Sequence, residues 1–140
     1  MTTKNKAQAI IEKMYNKDTF SQWLGINILE VTPGGCIIEM KIKANMLNGL
    51  GMAHGGITFS LSDSAFAFAS NSRGRKAVSI ETSISHTKAV KEGDQLTAIA
   101  RELNLGNRIA VYEVSVRNQH QEIVGLFKGT VFRTETDWDV

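Results

Sequence analysis

The chain has 140 residues, 42% hydrophobic and 21% charged, which suits one domain, residues 1–140, with a genuine core. Its net charge of +2 gives no reason to expect a nucleic-acid partner, and one cysteine, Cys36, excludes an internal disulfide and a multi-cysteine metal site. The opening MTTKNKAQAIIEKMYNKD lacks the apolar run of a secretory signal, and no stretch has the roughly 18 consecutive apolar residues of a membrane span, so a cytoplasmic protein is expected.

A helix is expected over about 6–16, where Ile10, Ile11 and Met14 form a short apolar stripe. Phe20, Trp23 and Leu24 anchor the turn after it. A hairpin follows. Ile26, Ile28 and Glu30 alternate with Leu29 and Val31, Pro33-Gly34-Gly35 makes the turn, and Ile37 to Lys43 returns. Met40 and Ile42 face one way and Glu39, Lys41 and Lys43 the other, a half-solvated strand. The loop Ala44 to Ala53 carries the turn residues Asn48, Gly49 and Gly51.

Gly55 to Ser72 reads as one helix of about five turns, ended by NSRGRK with Gly74 as a left-handed cap. Asp63 is the only charged residue in it. A helix apolar or small on every side is buried on every side, and an ionised carboxylate there is costly unless paired or hydrogen-bonded. Ser60, Asp63 and Ala67 make a small, polar stripe that could meet a second subunit. Four strands complete the chain, over about Val78–Ser85, Gln95–Leu105, Ile109–Val116 and Ile123–Arg133. The tail TETDWDV reads as loose. Tight turns make sequential strands antiparallel neighbours. The pattern is α+β, one long helix against a strongly curved sheet of five or six strands.

The segments NGLGMAHGG…SDSAFAFASNS, KAVSIETSI and VGLFKGTVFR closely resemble the hotdog-fold acyl-CoA thioesterases, nearest the PaaI type of phenylacetate degradation. The likeness covers about residues 25–133. It implies a central helix wrapped by the sheet, two sheets joined across a homodimer, and often a homotetramer, a dimer of dimers. It implies no cofactor and no metal, because coenzyme A belongs to the substrate. The family commonly has an aromatic and then a proline in the segment before Gly93-Asp94. Here the segment reads Ser85-His86-Thr87-Lys88-Ala89-Val90, which bears on substrate preference, since it usually borders the acyl pocket or the coenzyme A channel.

Thioester hydrolysis needs a polarised carbonyl, an activated water or nucleophile, and a means of holding both. The first amides of a helix have no partner within it and carry the positive end of its dipole. Gly55 and Gly56 let a carbonyl approach the backbone, and the resemblance puts the oxyanion contact on the Gly55 N–H. Asp63 would act as general base or as nucleophile. Asn48 would orient the water or the carboxylate, and His54 would fix the loop and the Gly55 amide. Ser79 would hold the water or the thioester. Val78, Ile80 and the Asn107-Arg108 turn match positions lining the pantetheine arm, with Gly56 beside them. Family geometry takes Asp63 and Ser79 from one subunit and Asn48, His54 and Gly55 from the other. His86 and His120 read as a strand end and a turn residue. The function implied is hydrolysis of an aryl-acetyl, hydroxyphenylacetyl or medium-chain acyl-CoA. The alternatives are a hotdog dehydratase or hydratase and a non-catalytic acyl-CoA-binding module. The first generally pairs His with Asp or Glu in a differently spaced motif.

Overall fold

The computed structural model describes residues 2–140. Its elements are α1 (Thr3–Lys17), α2 (Thr19–Leu24), β1 (Asn27–Thr32), β2 (Gly35–Lys41), α3 (Gly55–Asn71), β3 (Arg75–His86), β4 (Gln95–Leu105), β5 (Ile109–Arg117) and β6 (Ile123–Asp137). Six strands form one antiparallel sheet in the order β1-β2-β4-β5-β6-β3. This is the α+β arrangement read from the sequence. Sequential pairing fails at one place: β3 crosses to the far edge and pairs with β6, through Val78↔Phe132 and Ile84↔Phe127. The chain leaves the end of α3 and returns along it in the opposite direction, so β3 closes the sheet on the far side of the helix.

Leu61, Ala65, Phe66, Phe68 and Ala69 of α3 are buried against Ile38, Met40, Leu96, Ala98, Tyr112, Val114 and Val131 of the sheet. Burying each large apolar side chain contributes about 1.5–3 kcal/mol. The Phe66 ring meets Tyr112 and Phe127 at centroid distances of 6.0 and 5.5 Å. It lies directly on Gly129, where a β-carbon would fall 2.6 Å from the ring. The sheet can close on the helix there because β6 presents no side chain.

Several local expectations are corrected. Helix α1 starts at Thr3, because the Thr2 side chain accepts from the Asn5 N–H at 3.1 Å and caps it. The turn after it is a true helix, α2, capped by Asp18. In β1 a bulge between Ile28 and Glu30 breaks the alternation, leaving Leu29 exposed and Val31 buried. At the end of α3, Gly74 has φ +117, while the cap itself is Ser72 in right-handed geometry. The end is sealed by Asn71, whose Nδ2 donates to the Ala67 and Ala77 carbonyls. The tail is not loose. β6 runs on to Asp137, Trp138 Nε1 donates to Asn71 Oδ1 at 2.9 Å, and Lys76 lies 5.1 Å from the Trp138 ring centre. Among the described residues, no helix is long and apolar enough to cross a membrane.

Candidate active site

The first turn of α3 is built by its own preceding residue. His54 is the N-cap, in extended geometry (φ −60, ψ 136), and its Nδ1 accepts from the Gly56 N–H at 2.9 Å. The His54 carbonyl accepts from the Ile57 N–H at 2.9 Å. The expected grip of His54 on the Gly55 amide therefore falls one residue later, on Gly56. The Gly55 N–H has no acceptor among the described residues, so it is a free donor at the positive end of a 17-residue helix.

Asn48 organises the loop before the helix. Its Oδ1 accepts from the Leu50 and Met52 N–H groups at 2.9 and 3.2 Å, and its own N–H donates to the Met52 carbonyl at 2.7 Å. This is the turn role its residue type suggests. The side-chain NH2 has no partner among the described residues. Asn48 and Gly55 open on one cavity of about 190 Å³, shared with Thr58, His86 and Lys88. His86 was not among the residues the sequence singled out for this site. The available signal was the departure of Ser85-His86 from the aromatic and proline that the family resemblance leads one to expect.

After its first turn, α3 is buried except at Phe59, Ser60, Asp63 and Ala67, which are half-buried. The expected stripe is thus the open side of the helix, and within one chain the helix is not covered all round. The Asp63 carboxylate accepts no hydrogen bond from the described residues. Burial, and then the charge of Asp18, raise its pKa above the ordinary carboxylate range. Asp18 is held by Ser21, whose N–H and hydroxyl donate to its two oxygens at 2.9 and 2.5 Å. Ser21 has one hydroxyl proton, so the 2.8 Å contact between Ser21 and Ser64 is donated by Ser64. This chain of hydroxyls fastens α2 to α3 and fixes a second carboxylate near Asp63.

Ser79 pairs with the buried Val131, so it projects to the helix side of the sheet edge. Val78 pairs with Phe132, which in turn pairs with Ile109, so these three project to the outer side, all exposed. Ile80 is the extra residue of a bulge between Ser79 and Glu81. Asn107 accepts from Arg75, and Arg108 is ion-paired to Glu135 at 2.5 Å. The residues marked from the sequence therefore fall into two groups. Gly55 and Asp63 are eight residues apart, about 12 Å along the helix axis. His86, beside Gly55, is seven residues from Ser79, about 23 Å along β3. A wide groove of about 400 Å³ adjoins the first turn, lined by Phe20, Trp23, Met46, Leu47, Gly56 and Ile57 among others. Phe20 and Trp23 stack at 5.9 Å and are about half exposed.

The profile of the Thioesterase superfamily matches residues 50–124. A putative esterase of Archaeoglobus fulgidus is 44% identical over 131 residues, covering 94% of this chain and 85% of that protein. The acyl-coenzyme A thioesterase PaaI of Escherichia coli is 39% identical, with 92% of each chain covered. The solved structure of PaaI, from the phenylacetic acid degradation operon, superposes with a TM-score of 0.95 at 37% identity over 97% of this chain and 99% of that one. A Streptococcus mutans protein solved with acetyl CoA superposes at 0.78, at 31% identity over 81% of this chain and 91% of that one. The free helix-end amide, the half-buried carboxylate and these matches agree: the chain belongs to the thioesterase superfamily, as a hotdog-fold thioesterase of the PaaI type.

Proposed function

We propose that the protein hydrolyses an aryl-acetyl-CoA to the free acid and coenzyme A at a site shared by two copies of the chain. The carrying observation is Asp63, a half-buried carboxylate of raised proton affinity on the open stripe of α3. A structural aspartate would accept hydrogen bonds from its neighbours; this one accepts none from the described residues. Its raised pKa suits the role of general base. Asp63 takes a proton from water as the water oxygen bonds to the thioester carbon. The carbonyl electron pair moves to oxygen, held by the Gly55 N–H. The pair returns, the C–S bond breaks, and the thiolate takes the proton from Asp63.

A reacting centre requires its groups within about 3–3.5 Å of the atoms they act on. An amide about 12 Å along the helix from the carboxylate does not meet that need within one chain. A two-fold pairing of chains brings the Gly55 end of one helix to the Asp63 and Ser79 of the other, as in the family arrangement. The Phe20–Trp23 groove, apolar and next to the first turn, supports an aromatic acyl group. The Arg108 turn and the outward Val78 support pantetheine and phosphate contact at the opposite end of the same sheet.

The test is thiol release from acetyl-, octanoyl- and phenylacetyl-CoA by wild type and Asp63→Ala. Phenylacetyl-CoA is expected to be cleaved fastest, and the variant to be inactive. No cleavage of any thioester by the wild type, or full activity in the variant, would sink the proposal.

A further inference from the structure

We propose that His86 is a catalytic residue of this site: its Nε2–H donates to the same carbonyl oxygen that the Gly55 amide binds. The inference rests on the thioesterase reading above and adds a second donor to it. His86 ends β3, opposite Gly125 of β6, and this places its ring over the first turn of α3. A β-carbon built on Gly55 would stand 3.3 Å from His86 Nε2 and 3.4 Å from Cε1. That β-carbon lies about 2.5 Å from the Gly55 nitrogen by covalent geometry. The two nitrogens are therefore at most about 5.8 Å apart. Two hydrogen bonds of about 2.9 Å meeting at roughly 120° on one oxygen need donors about 5 Å apart, which lies inside that limit. One oxygen atom can accept from both.

The other groups of the cavity do not compete for this place. The Lys88 ammonium is paired with Glu122. Asn48 is tied to its loop through Oδ1, and its free NH2 is left to orient the water or the carboxylate. The His86 ring has no hydrogen-bond partner among the described residues, so its Nε2–H is free to be given in the transition state. A phenyl ring would fill the same space without a donor. The glycine at position 55 leaves room between imidazole and amide for the oxygen.

Steady-state hydrolysis of phenylacetyl-CoA by His86→Ala, His86→Phe and His86→Gln tests this, with circular dichroism and thermal melting to establish that each is folded. A contact made in the transition state lowers kcat and leaves KM unchanged. The expected loss for Ala and Phe is about 10- to 100-fold in kcat, less than the ~100- to 1,000-fold of a buried oxyanion donor because His86 is exposed. Gln, which keeps an N–H, recovers part of it. An alanine variant within twofold of wild-type kcat, a loss confined to KM, or a phenylalanine variant at the wild-type rate overturns the inference. If wild type is active, Asp63→Ala is dead and His86→Ala is unimpaired, only His86 is refuted. If wild type cleaves no thioester, the functional reading falls and this inference with it.

Discussion

Replacing Gly55 by proline removes the proposed oxyanion donor at no cost in hydrogen bonds, and adds a β-carbon whose effect alanine measures alone. Gly55 is the first residue of α3, and His54 before it already has φ −60 and ψ 136, the extended geometry that a following proline demands. Proline is at home at the first helical position, where the missing N–H is one of the unpaired ones. Here that N–H has no acceptor among the described residues, so no hydrogen bond is lost. The new β-carbon would meet His86 Nε2 at 3.3 Å, and the far end of a side chain can yield by a few tenths of an ångström. The stability change should stay within about 1 kcal/mol. The activity should not. Deleting one oxyanion donor costs about 2.7–4 kcal/mol, or roughly 100- to 1,000-fold in kcat. Gly55→Ala is the control, since it adds the same β-carbon and keeps the amide. The measurement is kcat for phenylacetyl-CoA with melting curves for both variants. A folded proline variant within threefold of an alanine variant that itself keeps near-wild-type activity would refute the amide's role.

Three further outcomes follow from the same geometry. Asp63→Asn should be inactive yet melt higher than wild type at neutral pH. Because the folded carboxyl holds its proton more tightly than the unfolded one, the wild type loses stability as pH rises from about 4 through the raised folded value, while the asparagine variant does not. Melting curves at pH 4 and pH 8 should show the gap opening at the higher pH. Asp18→Asn keeps a competent cap for α2 but removes the charge that helps raise the Asp63 pKa. The acid limb of the kcat profile should move to lower pH, though not fully, because burial is the larger cause. Mixing inactive Asp63→Asn with inactive Gly55→Pro, unfolding and refolding them together, should restore about a quarter of wild-type activity. Half the random dimers are then mixed, and each mixed dimer has one intact site of two. Refolding that restores nothing would mean the two groups act within one chain.

Much of the fold was legible in the sequence, because period and turn chemistry agree along most of it. Gln95–Leu105 was read at its observed bounds, and the stripe Ser60, Asp63, Ala67 is open as expected. What the sequence hid was long-range. Nothing local in Arg75–His86 says that it passes β4 and pairs with β6. Nothing local in TETDWDV says that Trp138 will find Asn71, 67 positions earlier. The site divides the same way. His54, Gly55 and Asp63 are marked by local chemistry: two glycines opening a helix, and one charge inside it. Asp18 and His86 belong to the site only through tertiary placement, Asp18 by the Ser21–Ser64 contact and His86 by the crossing of β3 over the first turn of α3.

Two features of the single chain, each ordinary alone, have one common solution. Strand β3 is 12 residues long and lies at the sheet edge, with Val78 and Ile80 more than half exposed. Soluble proteins blunt or cover such edges because unpaired strands recruit other strands. After its first turn, helix α3 is buried except along the stripe that carries Asp63, and a carboxylate that accepts no hydrogen bond from the described residues is left at its centre. A foreign partner could cover the edge but would not deliver a Gly55 amide to that carboxylate. In the proposed dimer a second copy, turned about a two-fold axis, would cover the edge with its own β3 and bring its own helix start to the stripe. The surface that a monomer would have to protect would then be the surface on which the proposed reaction runs. Covering it and completing the site would be one event, and activity should be lost on dilution to folded monomers.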